Sequence, residues 1–462
     1  MVSLSPGGRP IPLALGAGLL LVAFSLIYAP AAGHGFVKDD FGWVARSHIR
    51  SPHDALNLLG APSGFFRPLV SLSFAMNRWA CGVEPRCYGL TNVVLAIGCA
   101  GALFLLARAL SLPAEAALLA SAIWIFNWHG INMGVLWISG RTALVAVLLG
   151  VLAATAFVRQ RPWTAALLAF AAMLSKEEAV LLSPVLIGWS VAEAAVRRRW
   201  RPAAWVVQFA IGSAVLTVLY FGLRERSGAF TSSTAPAFYR LSFTPVRILR
   251  NGPAYLDRSA TFAGAVLLAW LAICRPGMSM LRPLNWSIVR FGTLWFLGTL
   301  AVTVFLPVRS SLYACLPSVG VALMAAALIA GTAQSISTPV QRRAVFAGLA
   351  LPILLWPVYH SRNRNSVREA ELSAQTISAL QRVASERGEG AVVVLRDDRS
   401  QKPSLDNSFG TLIQDAADLM VTPPIKVWID PPPVDAALAG LQPPSHVDIV
   451  LTLRDGQLIQ PP

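Results

Sequence analysis

Two adjacent carboxylates follow the first apolar run of the chain. The run "IPLALGAGLLLVAFSLIYAPAA" leads into "GHGFVKDDFGW", in which Asp39 and Asp40 stand side by side. A carboxylate costs about 2.5–3.5 kcal/mol at the centre of a bilayer, so acids in such a chain cluster at the surface or in wet cavities. One of the two can act as a general base that takes a proton from a hydroxyl, while the other orients that hydroxyl or holds a divalent metal. The simpler alternative is a solvated start of a loop.

A second charged group interrupts a later apolar stretch. In "AMLSKEEAVLLSPV" the residues Lys176, Glu177 and Glu178 stand between two apolar runs. Three charges in so short a turn, flanked by apolar helices, indicate a polar site that faces a cavity. Two plainer interpretations stay open. The segment can be an exposed hairpin turn. Alternatively, Lys176 can pair only with the neighbouring carboxylates, in a purely structural contact.

Cationic and aromatic residues in three further segments are candidates for binding a substrate. Arg67 precedes an amphipathic segment, Arg141 opens an apolar run in "WISGRTALVA", and Arg309 and Tyr313 occur together in "FLPVRSSLYACLPSVG". A guanidinium binds phosphate through paired hydrogen bonds, so these arginines suit an anionic substrate. Tyr313 can instead belong to an aromatic belt at the membrane interface.

The composition indicates that membrane-spanning helices position these residues. The chain of 462 residues is 55% apolar and only 13% charged, whereas soluble domains carry about 25% charged residues. The net charge of +15 comes mainly from arginines at the ends of apolar runs. Snorkelling and membrane topology explain such arginines, so no nucleic-acid partner is predicted.

The apolar runs predict an all-α polytopic membrane protein with about eleven transmembrane helices. A run near 20 residues crosses a hydrocarbon core of roughly 30 Å as a helix. The predicted spans lie near 11–31, 89–107, 114–128, 136–157, 163–174, 178–196, 203–222, 260–273, 288–306, 312–331 and 344–360.

The short loops between these spans predict the orientation. With a cytoplasmic N-terminus every short inside loop is basic, as the positive-inside rule requires. Eleven spans then place the C-terminus outside, and all the candidate groups above fall on that outer side. The long outer loops 32–88 and 223–258 also carry many arginines. Contact with anionic lipid heads explains this surplus simply, and a phosphate-bearing substrate explains it more specifically.

The last hundred residues have a different composition from residues 1–360. After about residue 361 an amphipathic helix is followed by the strand-like runs "AVVVLRD", "IKVWID" and "VDIVLTL". We expect residues 361–462 to form a small extracytoplasmic α+β domain. This domain follows, along the chain, a membrane domain formed by residues 1–360.

Two further polar features have structural interpretations. Asn92 falls inside the second predicted span, where its amide must find a partner, and a helix–helix contact is the favoured role. Cys81 and Cys87 lie close in sequence and can pair in a disulfide if their loop faces an oxidising compartment.

These segments together resemble the membrane glycosyltransferases of the C fold type (GT-C), and among them the protein O-mannosyltransferase-like group. The resemblance is carried by five blocks in order: "KDDF", "FRPLVSLSFAMNRWACG" with Asn92, "WISGRTALVA", "LSKEEAVLLSP" and "LYACLPSVG". It covers roughly residues 1–330. The chain departs from that pattern at Ala143, where relatives often have an acid, at Ser311 and Leu312, and at Tyr88.

The resemblance implies an inverting sugar transfer from a polyprenyl-phosphate donor, without a nucleotide sugar, on the outer face of a bacterial inner or plasma membrane. Asp39 and Asp40 would then be catalytic. The other candidates named above, Arg67, Arg141, Lys176, Glu177, Glu178, Arg309 and Tyr313, would bind substrate. The acceptor stays open between a protein, a glycan and a lipid, and no cofactor is predicted beyond the possible divalent metal. The rival hypotheses are a transporter or flippase for a lipid-linked saccharide and a non-catalytic membrane scaffold.

Overall fold

A computed structural model describes most of the chain. The described residues are 13–61, 64–198, 201–231, 233–274, 285–333, 351–352, 354–397, 402–433, 443–454 and 456–460. Residues 344–350 and 353 of the predicted span at 344–360 lie outside them.

Helices dominate the described part of the chain. In chain order they are α1 (Leu13–Tyr28), α2 (Asp39–Arg46), α3 (Pro52–Asn57), α4 (Pro68–Cys81), α5 (Pro85–Ala109), α6 (Ala114–Ile125), α7 (Gly130–Leu136), α8 (Arg141–Val158), α9 (Pro162–Met173), α10 (Leu182–Val196), α11 (Ala204–Arg226), α12 (Pro245–Cys274), α13 (Trp286–Leu300), α14 (Pro317–Ala333), α15 (Trp356–Arg387), α16 (Leu405–Phe409) and α17 (Ile413–Met420). Short 3₁₀ turns at Ile138–Gly140, Glu177–Leu181 and Ser311–Ala314 precede α8, α10 and α14.

Six of the described helical stretches are long and apolar enough to cross a membrane. They are Pro85–Ala109, Ile138–Val158, Glu177–Val196, Ala204–Arg226, Pro245–Cys274 and Trp286–Phe305. Shorter apolar helices at Leu13–Tyr28, Ala114–Ile125, Pro162–Met173 and Pro317–Ala333 coincide with four more predicted spans. The chain is therefore a multi-pass membrane protein, while the count of eleven spans stays a prediction.

Small residues bring the membrane helices close together. α13 packs along α14, and α8 packs along both α5 and α9. A Cβ added at Gly320 would lie 2.4 Å from the carbonyl oxygen of Gly292, so the backbones of α13 and α14 touch at this crossing. Lipid tails are as apolar as the helices, and close backbone approach at small residues is a principal source of helix association in membranes.

One predicted span is only the second half of a longer helix. The sequence placed a span at 260–273 after a long outer loop, but α12 begins at Pro245 and runs for 30 residues. Arginines in its first half obscured the helix, because they lower the mean hydropathy that defines a span. The polar residues of this half nevertheless recur at helical spacing, which is why the segment folds as a helix.

The loop that carries the two acids is helical. α2, α3 and α4 lie between α1 and α5, and a disulfide joins Cys81 at the end of α4 to Cys87 at the start of α5. The predicted pairing of these cysteines is confirmed.

The C-terminal part forms a mixed sheet beside α15. The three predicted strands are present as β1 (Val392–Arg396), β2 (Lys426–Asp430) and β3 (Ile449–Arg454), with β4 (Gln457–Ile459) added. The sheet order is β2-β1-β3-β4, with β1 parallel to both β2 and β3 and with β4 antiparallel to β3. Its buried side chains share one apolar core with α2 and α4. The C-terminal part is thus packed onto the loop that carries the acids.

The crossing of α13 and α14 generates a test of the packing. We expect Gly320→Ala to lower the free energy of unfolding by about 1–3 kcal/mol, because overpacking a tight contact costs that much. Melting temperature of the purified protein in detergent measures the effect. Gly222→Ala on α11 is the matched control, since no atom lies within 4 Å of the added methyl group. An equal melting temperature for both variants would contradict the close crossing.

Candidate functional site

Asp40 is a buried carboxylate that joins two separate elements. It lies in the first turn of α2 and is 0% exposed. Its Oδ1 accepts hydrogen bonds from the backbone N–H of Ser139 at 2.7 Å and from the Ser139 hydroxyl at 2.5 Å. Its Oδ2 accepts from the backbone N–H of Val37 at 2.9 Å. Burial raises the pKa of Asp40 to about 7, although the hydrogen bonds from Ser139 and Val37 favour the charged form. Both oxygens of Asp40 are therefore engaged in fixing α2 against the turn that precedes α8.

Asp39 is in the opposite situation. The residue is exposed, and among the described residues its carboxylate accepts no hydrogen bond. Desolvation raises the pKa of Asp39, while the positive charges of Arg67, Lys38 and Arg46 oppose the rise. Lys38, immediately before the acid, has a φ of 49°. This conformation is uncommon for a residue with a side chain. Asp39 is thus a free, partly desolvated base surrounded by cations.

Arg67 links the acid loop to the charged turn before α10. Its Nε and Nη2 donate to the two carboxylate oxygens of Glu177 at 3.0 and 2.7 Å, and its guanidinium lies 4.3 Å from the centroid of the Phe65 ring. The same guanidinium acts electrostatically on Asp39. The prediction that Asp39 and the turn at Lys176–Glu178 lie on one side of the fold agrees with this arrangement.

Lys176 is held within its own turn and against an aromatic ring. Its Nζ lies 2.9 Å from Oε1 of Glu178, and both side chains are almost fully buried, at 4% and 5% exposure. The ammonium also stands 4.6 Å from the centroid of the Tyr313 ring. Burial raises the pKa of Tyr313 above its ordinary value. Asp39, Arg67, Glu177, Lys176, Glu178 and Tyr313 form what we call the polar cluster.

Arg141 lies apart from the polar cluster and is 0% exposed. Its guanidinium donates to Oδ1 of Asn92 at 3.0 Å, to the Ser73 carbonyl at 3.2 Å and to the Tyr88 carbonyl at 3.0 Å, and it lies over the Phe74 ring. The Arg141 guanidinium does not face the polar cluster.

Asn92 completes the arrangement around Arg141. Its Nδ2 donates to the carbonyls of Gly134, Trp137 and Ile138 at 3.1–3.2 Å, while its Oδ1 accepts from Arg141. The predicted role of Asn92 in helix–helix contact is confirmed. An intramembrane amide that meets four partners fixes the relative positions of α5, α7 and α8.

Arg309 remains free for a ligand. It is exposed, and within the described residues no hydrogen bond or ion pair to its guanidinium is found. It lies four residues before Tyr313 in sequence, next to the 3₁₀ turn that carries this tyrosine. The Tyr255 ring on α12 is 6.3 Å from the Tyr313 ring, so α12 borders the polar cluster.

Arg46 was missed by the sequence analysis. It stands seven residues after Asp39, on the same face of α2. A cavity of about 480 Å³ beside α2 is lined by Trp43, Arg46 and Ser71 among other residues. The signal was present in the spacing of Asp39, Trp43 and Arg46, but it appears only once the segment is known to be helical.

The C-terminal part fixes the acid loop from the other side. The backbone N–H of Lys38 donates to the Ser408 carbonyl at 2.8 Å, and the Phe41 ring stacks on Phe409 at 5.5 Å. Asn363 of α15 donates to the Ile27 carbonyl at 2.7 Å. The start of α2 is thus held by contacts on both sides.

Among the described residues there is no complete ligand set for the divalent metal that the adjacent acids could hold. No group of three His, Cys, Asp or Glu side chains with suitable spacing occurs there. Asp40 accepts three hydrogen bonds from Ser139 and Val37, whereas the Asp39 carboxylate accepts none among the described residues.

Substitution of the two acids separates their roles in folding. At about pH 8, above the pKa of Asp40, we expect Asp40→Asn to lose about 1–3 kcal/mol of stability, because its Nδ2 would face a hydrogen-bond donor. Asp39→Asn should keep the wild-type melting temperature, since the Asp39 carboxylate makes no hydrogen bond to any described residue. Thermal unfolding in detergent distinguishes the two variants, and equal losses would contradict the assignment.

Comparisons with known proteins bear on the resemblance proposed from the motifs. No family model matches the chain. The chain is similar to protein O-mannosyl-transferase Tmtc1 of Drosophila melanogaster, with 33% identity over 184 residues that cover 36% of this chain and 21% of that protein. The matched region therefore spans about a fifth of that relative. Among solved structures, the arabinofuranosyltransferase AftD from Mycobacteria matches with a TM-score of 0.48 and 14% identity, over 92% of this chain and 32% of AftD. The resemblance to protein O-mannosyltransferase-like membrane glycosyltransferases is confirmed for the matched third of the chain.

Proposed function

We propose that this chain is an integral membrane glycosyltransferase that moves a sugar from a polyprenyl-phosphate donor to an acceptor hydroxyl, with inversion. The exposed carboxylate of Asp39, which accepts no hydrogen bond among the described residues and lies in the electrostatic field of Arg67 and Arg46, is the observation that carries this proposal. The similarity to Tmtc1, a protein O-mannosyl-transferase, supports the class of reaction.

Asp39 would act as the general base. In a single displacement it takes the proton of the acceptor hydroxyl while the acceptor oxygen attacks the anomeric carbon. The bond between that carbon and the phosphate oxygen breaks, and the lipid phosphate leaves with the electron pair. Attack from the face opposite the leaving group inverts the anomeric centre. A base whose pKa is raised toward the working pH is better suited to this step than an ordinary aspartate.

Asp40 would be a positioning residue. Its buried hydrogen bonds hold the first turn of α2. The side chain of the preceding residue, Asp39, therefore projects into the accessible space. The two acids thus have separate tasks, although their adjacency in sequence suggested a pair.

The leaving phosphate needs a cation that is free to bind it. Of the four cations considered from the sequence, Arg67 is paired with Glu177, Lys176 is paired with Glu178, and Arg141 is enclosed by carbonyls. We therefore assign the phosphate to Arg309, and we favour a structural role for Lys176, which ties the start of α10 to Tyr313. Arg67 and Glu177 would form one wall of the site and keep Arg67 near Asp39.

The membrane orientation remains part of the proposal. A cytoplasmic N-terminus would place the polar cluster and the C-terminal part on the outer side of a bacterial inner or plasma membrane. Residues 361–462 would then support the acid loop from outside. A hydroxyl on a protein, a glycan or a lipid suits the chemistry of Asp39 equally.

Neutralising Asp39 tests the reaction. We expect Asp39→Asn to reduce transfer by about 10²–10⁴-fold, the usual contribution of a general base, at unchanged melting temperature. The assay follows release of polyprenyl phosphate from polyprenyl-phosphate-linked hexoses and pentoses in detergent. Asp418→Asn, an exposed acid on α17, is the matched control. Full transfer by Asp39→Asn would refute the base, and donor binding without any transfer by the wild type would favour a transporter or a scaffold.

The pH dependence of transfer gives a second test. The base works only when deprotonated, so the rate should rise with pH through the pKa of Asp39. Burial raises that pKa above 3.8, and the midpoint should therefore lie above the value of a free aspartate. Initial rates between about pH 4 and pH 8 measure it, and melting temperatures at each pH separate titration of Asp40. A rate that stays constant or increases as the pH falls would contradict the assignment of Asp39 as the base.

A further inference from the structure

The side chain of Arg46 folds back along α2 toward the start of the helix. A Cβ added at Gly42 would lie 3.0 Å from Nη2 of Arg46 and 3.2 Å from its Nη1, so the guanidinium packs against the backbone of Gly42. Residues three positions apart are neighbours on a helix surface, with Cβ atoms about 5–6 Å apart. Asp39 is three positions before Gly42 in α2. The guanidinium therefore lies on the same side of α2 as Asp39, about one turn away.

The Trp43 ring supports this guanidinium. The ring is 8% exposed and is stacked on Phe74 of α4, with 5.5 Å between the ring centroids. Cζ of Arg46 lies over the same Trp43 ring, 5.8 Å from its centroid. A guanidinium in this position is attracted by the quadrupole of the aromatic ring. The contacts with Gly42 and Trp43 thus hold Arg46 beside Asp39 without a substrate.

The charge of Arg46 has no direct partner in the part of the chain that the structure describes. Its guanidinium makes no hydrogen bond or ion pair there, whereas the guanidinium of Arg67 is bound by both oxygens of Glu177. The carboxylates of Asp415 on α17 and of Asp39 act on Arg46 electrostatically, without an ion pair. Arg46 therefore keeps its charge available for a further anion.

The cavity beside α2 gives a ligand access to Arg46. Its volume of about 480 Å³ is that of a small-molecule pocket, and Arg46 and Ser71 are among the residues that line it. Ser71 is one turn after Arg67 on α4, so this wall of the cavity adjoins the polar cluster. The acid in the lining, Asp54, is engaged in capping α3, where its Oδ2 accepts from the backbone N–H of Ser51 at 2.9 Å.

We propose that this cavity binds the acceptor, and that the acceptor carries an anionic group, a carboxylate or a phosphate, close to the hydroxyl that receives the sugar. The inference rests on the proposed function, because it takes Asp39 as the base. The hydroxyl would lie at Asp39, and Arg46 would bind the anion about one turn away through the paired hydrogen bonds of a guanidinium. Arg46 would thus be a specificity-determining residue that compensates the negative charge an acidic acceptor brings next to Asp39.

Binding of two matched probes to the full chain tests the class of acceptor. Methyl β-glucuronide and methyl β-glucoside differ by one carboxylate, and saturation-transfer NMR measures their affinities for the protein in phosphatidylcholine nanodiscs at low salt. We expect the wild type to bind the glucuronide about 10-fold more tightly, the effect of one charge-assisted contact, and Arg46→Gln to lose this preference. Arg250→Gln on α12 is the matched control and should retain it, because Arg250 is an exposed arginine that does not line the cavity. Melting temperatures verify that each variant folds.

A lipid probe separates two sources of such an acceptor. Phosphatidylglycerol carries hydroxyls next to a phosphate, and native mass spectrometry compares its retention on the wild type and on Arg46→Gln. A preference for the glucuronide that depends on Arg46 supports an acidic saccharide, and one for phosphatidylglycerol supports a lipid headgroup. Absence of an Arg46-dependent preference in both experiments overturns the proposal.

Asp39→Asn distinguishes this inference from the proposed function. The variant should bind the preferred probe at least as tightly as the wild type, because it removes a like charge beside the anion, while it loses sugar transfer. A wild type that shows the Arg46-dependent preference but transfers no sugar would refute the proposed function and leave the anion-binding cavity standing. Transfer to neutral acceptors at an equal rate by the wild type and by Arg46→Gln, with no gain for acidic ones, would overturn the acceptor class and leave Asp39 as the base.

Discussion

The position of the acid loop depends on one buried carboxylate. Asp40 receives three hydrogen bonds, two from Ser139 and one from Val37, and these join the first turn of α2 to the turn that opens α8. A carboxylate buried at 0% exposure is costly unless its oxygens are paired, so this geometry is tightly specified. The position of the Asp39 side chain follows from this geometry of Asp40, because the direction of α2 determines where the adjacent side chain points.

The cations of the chain are distinguished by what neutralises them. Arg141 is enclosed by three carbonyl-type acceptors, Arg67 is bound by both oxygens of Glu177, and Lys176 is held by Glu178. Each of these arrangements satisfies the charge internally and stabilises a contact between helices. Arg309 lacks such a partner within the described residues, so among these cations it is the one left available to an anion.

The C-terminal part contributes to the site although it is distant in sequence. Ser408 and Phe409 contact Lys38 and Phe41, while Asn363 contacts the end of α1. The sheet and the acid loop share one apolar core, so removal of the sheet would expose Phe41 and loosen α2. This arrangement gives the sheet a physical role without requiring any chemistry of its own.

The sequence by itself determined the elements and the polar interruptions. Apolar runs near 20 residues located most of the membrane helices, short strand-like runs located the strands, and the charges at Asp39, Arg67 and Lys176 indicated the region of the proposed site. These features are local, because hydrophobic periodicity and the cost of burying charge act within a few residues. The start of α12 was missed for the same reason, since its arginines lower the local hydropathy while its pattern stays helical.

Only the tertiary structure decided which polar residues are engaged and which are free. Asp40 meets Ser139 across 99 residues, and Arg67 meets Glu177 across 110. Adjacent acids look equivalent in sequence, and so do arginines at the ends of apolar runs. They differ only through long-range partners, because a buried charge is neutralised by whatever group the fold brings within hydrogen-bond distance. The sequence therefore indicated where charge is concentrated, and the packing of helices from distant segments left Asp39 and Arg309 without hydrogen-bond partners among the described residues.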